Sequence, residues 1–215
     1  MNGEEKIPIF PLNVVMIPYG LMPLHIFEER YKKMINECLN EDKVFGMVYL
    51  EDKHLHKTGC TARVEKVIKR YDDGRMDILV SGQNRFKILD ISEEEIYLQS
   101  NVLYMEDGLA TDTPELTELA RNGIHLLQKF ERIMEISEGL DRLKNLDFTV
   151  VSYFLAGSHG LTLAEKQELL EIENAEERLV RGVDLLKSAL DRAKLLKQIQ
   201  TVRTDTLMMH GFSKN

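Results

Sequence analysis

Tryptophan is absent from this chain of 215 residues, and cysteine occurs only twice, as Cys38 and Cys60. Two cysteines cannot build a disulfide framework, and such sparing use fits a reducing cytoplasm. No apolar run approaches the roughly 18 residues that a membrane span needs. The opening MNGEEKIPIF is acidic and has no signal-peptide core, so a cytoplasmic protein with no membrane contact is expected. No glycine is followed by lysine, which excludes the phosphate-cradling G-x-x-x-x-G-K-[ST] loop. H-E-x-x-H and C-x-x-C are missing too, so neither a cofactor nor a metal is expected. Excess basic charge is also lacking: the net charge is −8 and the pI about 5.4. Residues 1–108 carry 14 Lys/Arg against 19 Asp/Glu, and 109–215 carry 14 against 17. Neither half offers the basic face that phosphate neutralisation requires, so no nucleic-acid partner is expected, with a local basic patch left open.

What is present is a change of pattern at mid-chain. IPIF, VVMI, VFGMVYL, CTARVEKVIKRY, RMDILVSG, RFKILDI and EIYLQSNVLYM are β-type runs. Asp72-Asp73-Gly74 between two of them is a hairpin signal. Between VVMI and VFGMVYL, apolar residues at 27, 31, 34, 35, 38 and 39 predict one helix, with Phe27 in the core. Before it, PYGLMPLHI reads as a proline-punctuated apolar loop. The expected fold is α+β: a β-rich lobe over 1–108, as a curved or nearly closed sheet with one helix, then a helical lobe over 109–215. Thr113-Pro114 starts the first helix of that second lobe. A second helix is expected from about Asp147 to Ala156. Thr162/Glu165 and Asn174/Glu177 have capping-box spacing for two more. The last shows Leu179, Val183, Leu186, Leu190 and Ala193 spaced 4, 3, 4, 3, and a run over 175–203 would be roughly 43 Å long.

Catalytic candidates are few. Ala156-Gly157-Ser158-His159-Gly160 approaches the G-x-S-x-G elbow, but a helix rather than a strand leads into it, so an interhelical loop is expected. His54, His56 and Cys60 lack a fourth ligand at zinc spacing and read as a solvated loop. His25 reads as a hydrogen-bonded, half-buried packing residue rather than a general base, because no partner for a base is evident in sequence. The glutamates at 93–95 read as a solvated turn. Of the ten methionines, Met34 and Met47 fit core patterns, whereas Met22 lies between Gly20 and Pro23 and is the candidate for exposure. No catalytic residue and no enzymatic activity are expected.

FPLNVVMIPYGLMPLHIFEERYKKMI, VFGMV, TGCTARV and DGRMDILVSGQNRFKI resemble, in that order, the Lon protease N-terminal domain. DFTVVSYFLAGSHGLTLAEKQELLEIENAEERLVRGVDLL continues the resemblance to about residue 187. It implies a PUA-like β-rich lobe followed by a helical bundle. It implies substrate recognition without hydrolysis, since the chain stops at Asn215, before the ATPase and protease domains that follow in Lon. RNA binders share PUA-like folds, and the acidic balance weighs against that transfer.

The leading expectation is thus a non-catalytic polypeptide-binding module for unfolded or tagged chains, with a Lon-type protease as a candidate partner. Met22 and Leu24 would supply adaptable apolar contact at the joint of sheet and helix, and Glu29, Arg30 and Lys33 would supply orientation. Core packing for Leu24 and plain solvation for the charged trio are the alternatives. The other functional expectation is an assembly or adaptor protein, a homo-dimer through the Leu186–Val202 helix.

Overall fold

Alternation along the first half builds six strands and one amphipathic helix. In the computed structural model, which describes residues 4–108, 113–136 and 147–211 (201–211 as backbone alone), the chain divides into two compact units. The first is residues 1–110 with 163–175, and the second is 111–162 with 176–215.

In the first unit the strands are β1 (Glu5–Leu12), β2 (Leu21–Ile26), β3 (Phe45–Glu51), β4 (His54–Arg70), β5 (Met76–Ile88) and β6 (Leu98–Met105). β1 lies parallel to β3 and antiparallel to β6, and β3–β4, β4–β5 and β5–β6 are antiparallel. Five strands therefore close into a barrel, β1-β3-β4-β5-β6, and a closed ring leaves no edge among them. Its interior holds Ile7, Ile9, Val48, Phe86 and Val102. Gly46 and Gly59 make room for the Phe86 ring, since a Cβ on either would stand 2.6 or 2.7 Å from its Cζ. The 72–74 turn forms as expected, with Gly74 at φ 81° between β4 and β5. VVMI is not a strand; Val15, Met16 and Ile17 are buried in the connection from β1 to β2.

Helix α1 (Glu29–Glu41) buries Tyr31, Met34, Ile35 and Cys38, and Tyr31 packs on Phe10 of β1 with ring centroids 4.1 Å apart. Phe27, expected in the core, precedes the helix and is 59% exposed. The reason is local: its ring stacks on His25, 6.0 Å away, and not on the apolar face of α1.

Helix α4 (Leu163–Glu171) follows α2 and α3 in the chain but packs on β4. Gln167 donates to the Thr58 carbonyl at 3.0 Å. Arg85 of β5, 1% exposed, donates to the carbonyls of Leu170 at 3.0 Å, Ile172 at 2.6 Å and Glu173 at 3.3 Å, and to Asp107 at 2.8 Å. A guanidinium there meets the carbonyls that a helix leaves unpaired at its C-terminus.

The second unit contains α2 (Pro114–Met134), α3 (Phe148–Gly157) and α5 (Ala175–Gly211). Thr113 caps α2 by accepting from the Leu116 N–H, and Asp147 caps α3 by accepting from the Thr149 N–H. Helix α5 is continuous for 37 residues, about 55 Å, longer than the sequence spacing suggested. Leu179, Val183, Leu186, Leu190 and Ala193 are all buried, whereas Leu195, Leu196 and Ile199 are exposed. Arg178 is buried, donates to Ser152 Oγ at 2.9 Å and lies 3.9 Å from the Tyr153 ring. Among the described residues no helix is long and apolar enough to cross a membrane.

Candidate functional site

PYGLMPLHI holds a strand where the sequence suggested a loop. β2 pairs with residues 76–81 of β5 on one side, and its other side is the end of the sheet order. Successive side chains of a strand point to opposite faces. Met22, Leu24 and Ile26 therefore share the face of Val80, Ile78 and Met76, all three fully buried. Leu21, Pro23 and His25 share the other face and are exposed.

The same alternation governs the backbone. Gly82 N–H donates to the Gly20 carbonyl at 2.9 Å, just before the strand. Counting in twos, the polar backbone groups of Met22 and Leu24 turn to β5, and those of Leu21, Pro23 and His25 turn to the free edge. Pro23 is tolerated because the N–H it lacks would have bonded to nothing in the sheet. It also weakens the edge as a template for another strand.

The outer face of β2, β5 and β4 is a facet of three columns. β2 contributes Leu21, Pro23 and His25; β5 contributes Ser81, Leu79 and Asp77; β4 contributes Arg63, Lys66 and Lys69 in register with them. Leu21 is 66% exposed, and Phe27 extends the apolar column past the strand end. His25 Nδ1 lies 2.6 Å from Asp77 Oδ1, and the Tyr71 hydroxyl donates to Asp77 Oδ2 at 2.8 Å. These two bonds, His25 first, hold the Asp77 carboxyl below its usual range, and the bond to Asp77 raises the Tyr71 phenol. Glu65 accepts from Ser81 Oγ, so both carboxylates near the facet are engaged.

The predicted site residues separate. Met22 and Leu24 are half-buried on the inner face of β2. Glu29 pairs with Lys32 at 2.7 Å, Arg30 with Glu28 at 2.8 Å, and Lys33 with Glu95 at 2.6 Å. Arg30 also covers the Tyr31 ring at 4.5 Å. The trio is thus occupied on α1 or with the loop before β6, where Glu93, Glu94 and Glu95 are exposed as expected and Glu94 also pairs with Lys6 at 2.8 Å. Leu21, Pro23 and Phe27 were missed, although the alternation in LMPLHI marks two of them once it is read as a strand.

The remaining chemical candidates resolve simply. Cys60 is fully buried in β4, and burial pushes its thiol up to about 12. His54 and His56 belong to β4 rather than to a loop, and His56 stacks on Tyr49 at 4.9 Å. Among the described residues no three His, Cys, Asp or Glu side chains gather as metal ligands. Ser158 is buried after α3, and its Oγ accepts from the Gly160 N–H at 3.2 Å. His25, whose partner sequence did not reveal, is the one with a charged companion in the facet.

Comparison with known proteins adds an independent line. Residues 6–188 match the family model of the ATP-dependent protease La (LON) substrate-binding domain. A Lon protease of Flavobacterium johnsoniae is 27% identical over 95% of this chain, and one of Buchnera aphidicola is 29% identical over 93%. In both cases the chain spans 27% of the relative's length. Among solved structures, a Lon N-terminal domain protein from Xanthomonas campestris superposes with TM-score 0.64 at 23% identity, covering 82% of this chain and 96% of its own. The N-terminal domain of Mycobacterium avium complex Lon protease gives 0.68 at 21%, covering 85% and 98%.

Proposed function

This chain belongs to the LON substrate-binding domain family, and from that premise we propose that it holds unfolded or exposed apolar polypeptide segments on the outer facet of β2, β5 and β4. One observation carries the reading: Leu21, Pro23 and Phe27 stand exposed in sequence around a single edge strand. Large apolar groups gathered on a surface mark an interaction site more often than scattered ones do. Met22 and Leu24 back this strand from the inner face, so they support the contact instead of making it. Glu29, Arg30 and Lys33 border the strand's end in sequence, where their existing ion pairs limit them to a rim role. The chemistry is adhesive: it needs desolvation of apolar surface and no bond-breaking.

The test is fluorescence anisotropy of labelled unfolded peptides against the full chain and its L21S/F27S variant. Both positions are more than half exposed, so the variant should fold with an unchanged melting profile. Fully burying a Leu or Phe contributes about 1.5–3 kcal/mol, and roughly 60% of each remains to be buried, so weakening of about tenfold or more is expected. Equal affinity of variant and parent would defeat the proposal.

A second reading is favoured by the exposed Leu195, Leu196 and Ile199 of α5. It is assembly with a second copy or a Lon-type protease through this helix. Leu186 and Leu190 are buried, which narrows the expected Leu186–Val202 contact to its later part; the Val202 side chain lies outside the described residues. Sedimentation of L195S/L196S/I199S against the parent decides it, a fall in mass being the supporting result.

A further inference from the structure

The facet is chemically lopsided in a way that its apolar column alone does not require. Pro23, Leu79 and Lys66 form one cross-strand row, and His25, Asp77 and Lys69 form the next. Adjacent strands lie about 4.8 Å apart, so the basic column stands about 10 Å from the apolar one. The chain is acidic overall, and although the exposed Lys53 and Lys57 make no ion pair among the described residues, five lysines of the first unit meet carboxylates: Lys6, Lys32, Lys33, Lys43 and Lys87 all do. Lys66 and Lys69 do not. Both are exposed, and among the described residues neither makes an ion pair; the Lys69 ammonium sits 4.4 Å above the Tyr71 ring. Of the nearby carboxylates, Asp77 bonds to His25 and Tyr71 and meets Lys69 only through space, Glu65 accepts from Ser81, and Asp42 pairs with Arg63.

We infer that this facet selects polypeptide segments in which an acidic residue lies two to four positions from an apolar anchor, the acid meeting Lys66 and Lys69 while the anchor covers Leu21, Pro23 and Phe27. The inference rests on the polypeptide-binding reading and adds a charge rule to it. An extended chain advances about 3.3 Å per residue, so two to four residues span the gap between columns once lysine reach is included. Nucleic acid is the other polyanion a lysine pair could attract. It fits less well: Lys69 and Arg75 already flank the Tyr71 ring that a base would need, at 4.4 and 5.1 Å, and the chain carries net charge −8.

The experiment uses the full chain and two fluorescein-labelled 12-residue peptides with the same Leu-Phe-Leu core, one flanked by three Glu and the other by three Gln. Exposed pairs of this kind favour the Glu peptide by about three- to tenfold at 50 mM salt, and the preference shrinks at 300 mM. In K66Q/K69Q the ratio of the two affinities falls to about one, whereas K129Q, on an exposed position of α2, keeps it. Equal affinities in the parent, or a preference that survives K66Q/K69Q, overturns the charge rule while leaving polypeptide binding standing. Failure of both peptides to bind overturns polypeptide binding itself. Displacement of the Glu peptide by oligo-dT at lower concentration than by unlabelled peptide transfers the facet to nucleic acid and overturns both.

Discussion

Replacing Arg85 with methionine tests what fastens α4 to the barrel. The side chain is 1% exposed and donates to three carbonyls at the end of α4 and to Asp107. Methionine fills much of the same volume, so little of the loss is cavity; the loss is the four acceptors. Hydrogen bonds from a charged donor contribute about 1.5–3 kcal/mol each but overlap in a shared fork, and breaking a buried charge network costs about 3–5 kcal/mol in all. With a urea slope of about 2 kcal/mol/M, the midpoint of the first unit should fall by about 2 M. Lysine, which brings one ammonium to a site built for a planar fork, should recover less than half of that. The assay is urea titration followed by far-ultraviolet circular dichroism, with hydrogen exchange of the α4 amides as the local reporter. In R85M, protection over 166–171 should drop further than protection in β3 or β4. A midpoint shift under about 0.5 M, with α4 protection intact, would refute the assignment of Arg85 as the fastening.

Gly82 and Gly157 make a contrasting pair. A Cβ on Gly82 would lie 2.1 Å from the Ile17 carbonyl oxygen, so G82A should lose about 3 kcal/mol or more, whereas nothing lies within 4 Å of one on Gly157, so G157A should be neutral or gain up to about 1 kcal/mol by thermal melting. Asp77 has its carboxyl lowered by His25 and Tyr71, so its contribution is present above the unfolded carboxylate range, about pH 4, and is lost as pH falls through the folded value. The stability gap between parent and D77N should therefore be open at pH 6 and closed near pH 2, as read by urea midpoints. Burial raises the Cys38 thiol to about 11 and the Cys60 thiol to about 12, so neither should react with an aromatic disulfide reagent at pH 8 until urea is added, when both should.

Local periodicity was legible wherever neighbours in sequence decide the outcome. The 3.6-residue spacing of α1 and the 4, 3, 4, 3 stripe of α5 put Met34, Ile35, Leu179 and Leu186 in the core, where they lie. Thr113 and Asp147 cap the helices they precede. β2 was hidden because two prolines and a glycine imitate a loop, and only an unpaired sheet edge makes Pro23 acceptable in a strand. Phe27 was misplaced because its ring follows His25. Contacts that join distant segments left no trace in any window: Arg85 reaches 87 residues ahead to Ile172, and His25 finds Asp77 52 residues on. Nor could period say which unit would receive α4, since its apolar residues suit a barrel wall as well as a bundle.

The assignment of 163–175 to the first unit has a consequence for synthesis. A barrel emerging from the ribosome has all its strands after Met105, yet the patch of β4 that α4 covers, and the guanidinium of Arg85, must wait until translation passes residue 173. α2 and α3 precede α4 in the chain and so leave the tunnel before it does. The two units therefore mature together instead of in succession, and a stop codon placed at the apparent mid-chain boundary would yield a barrel with a naked flank.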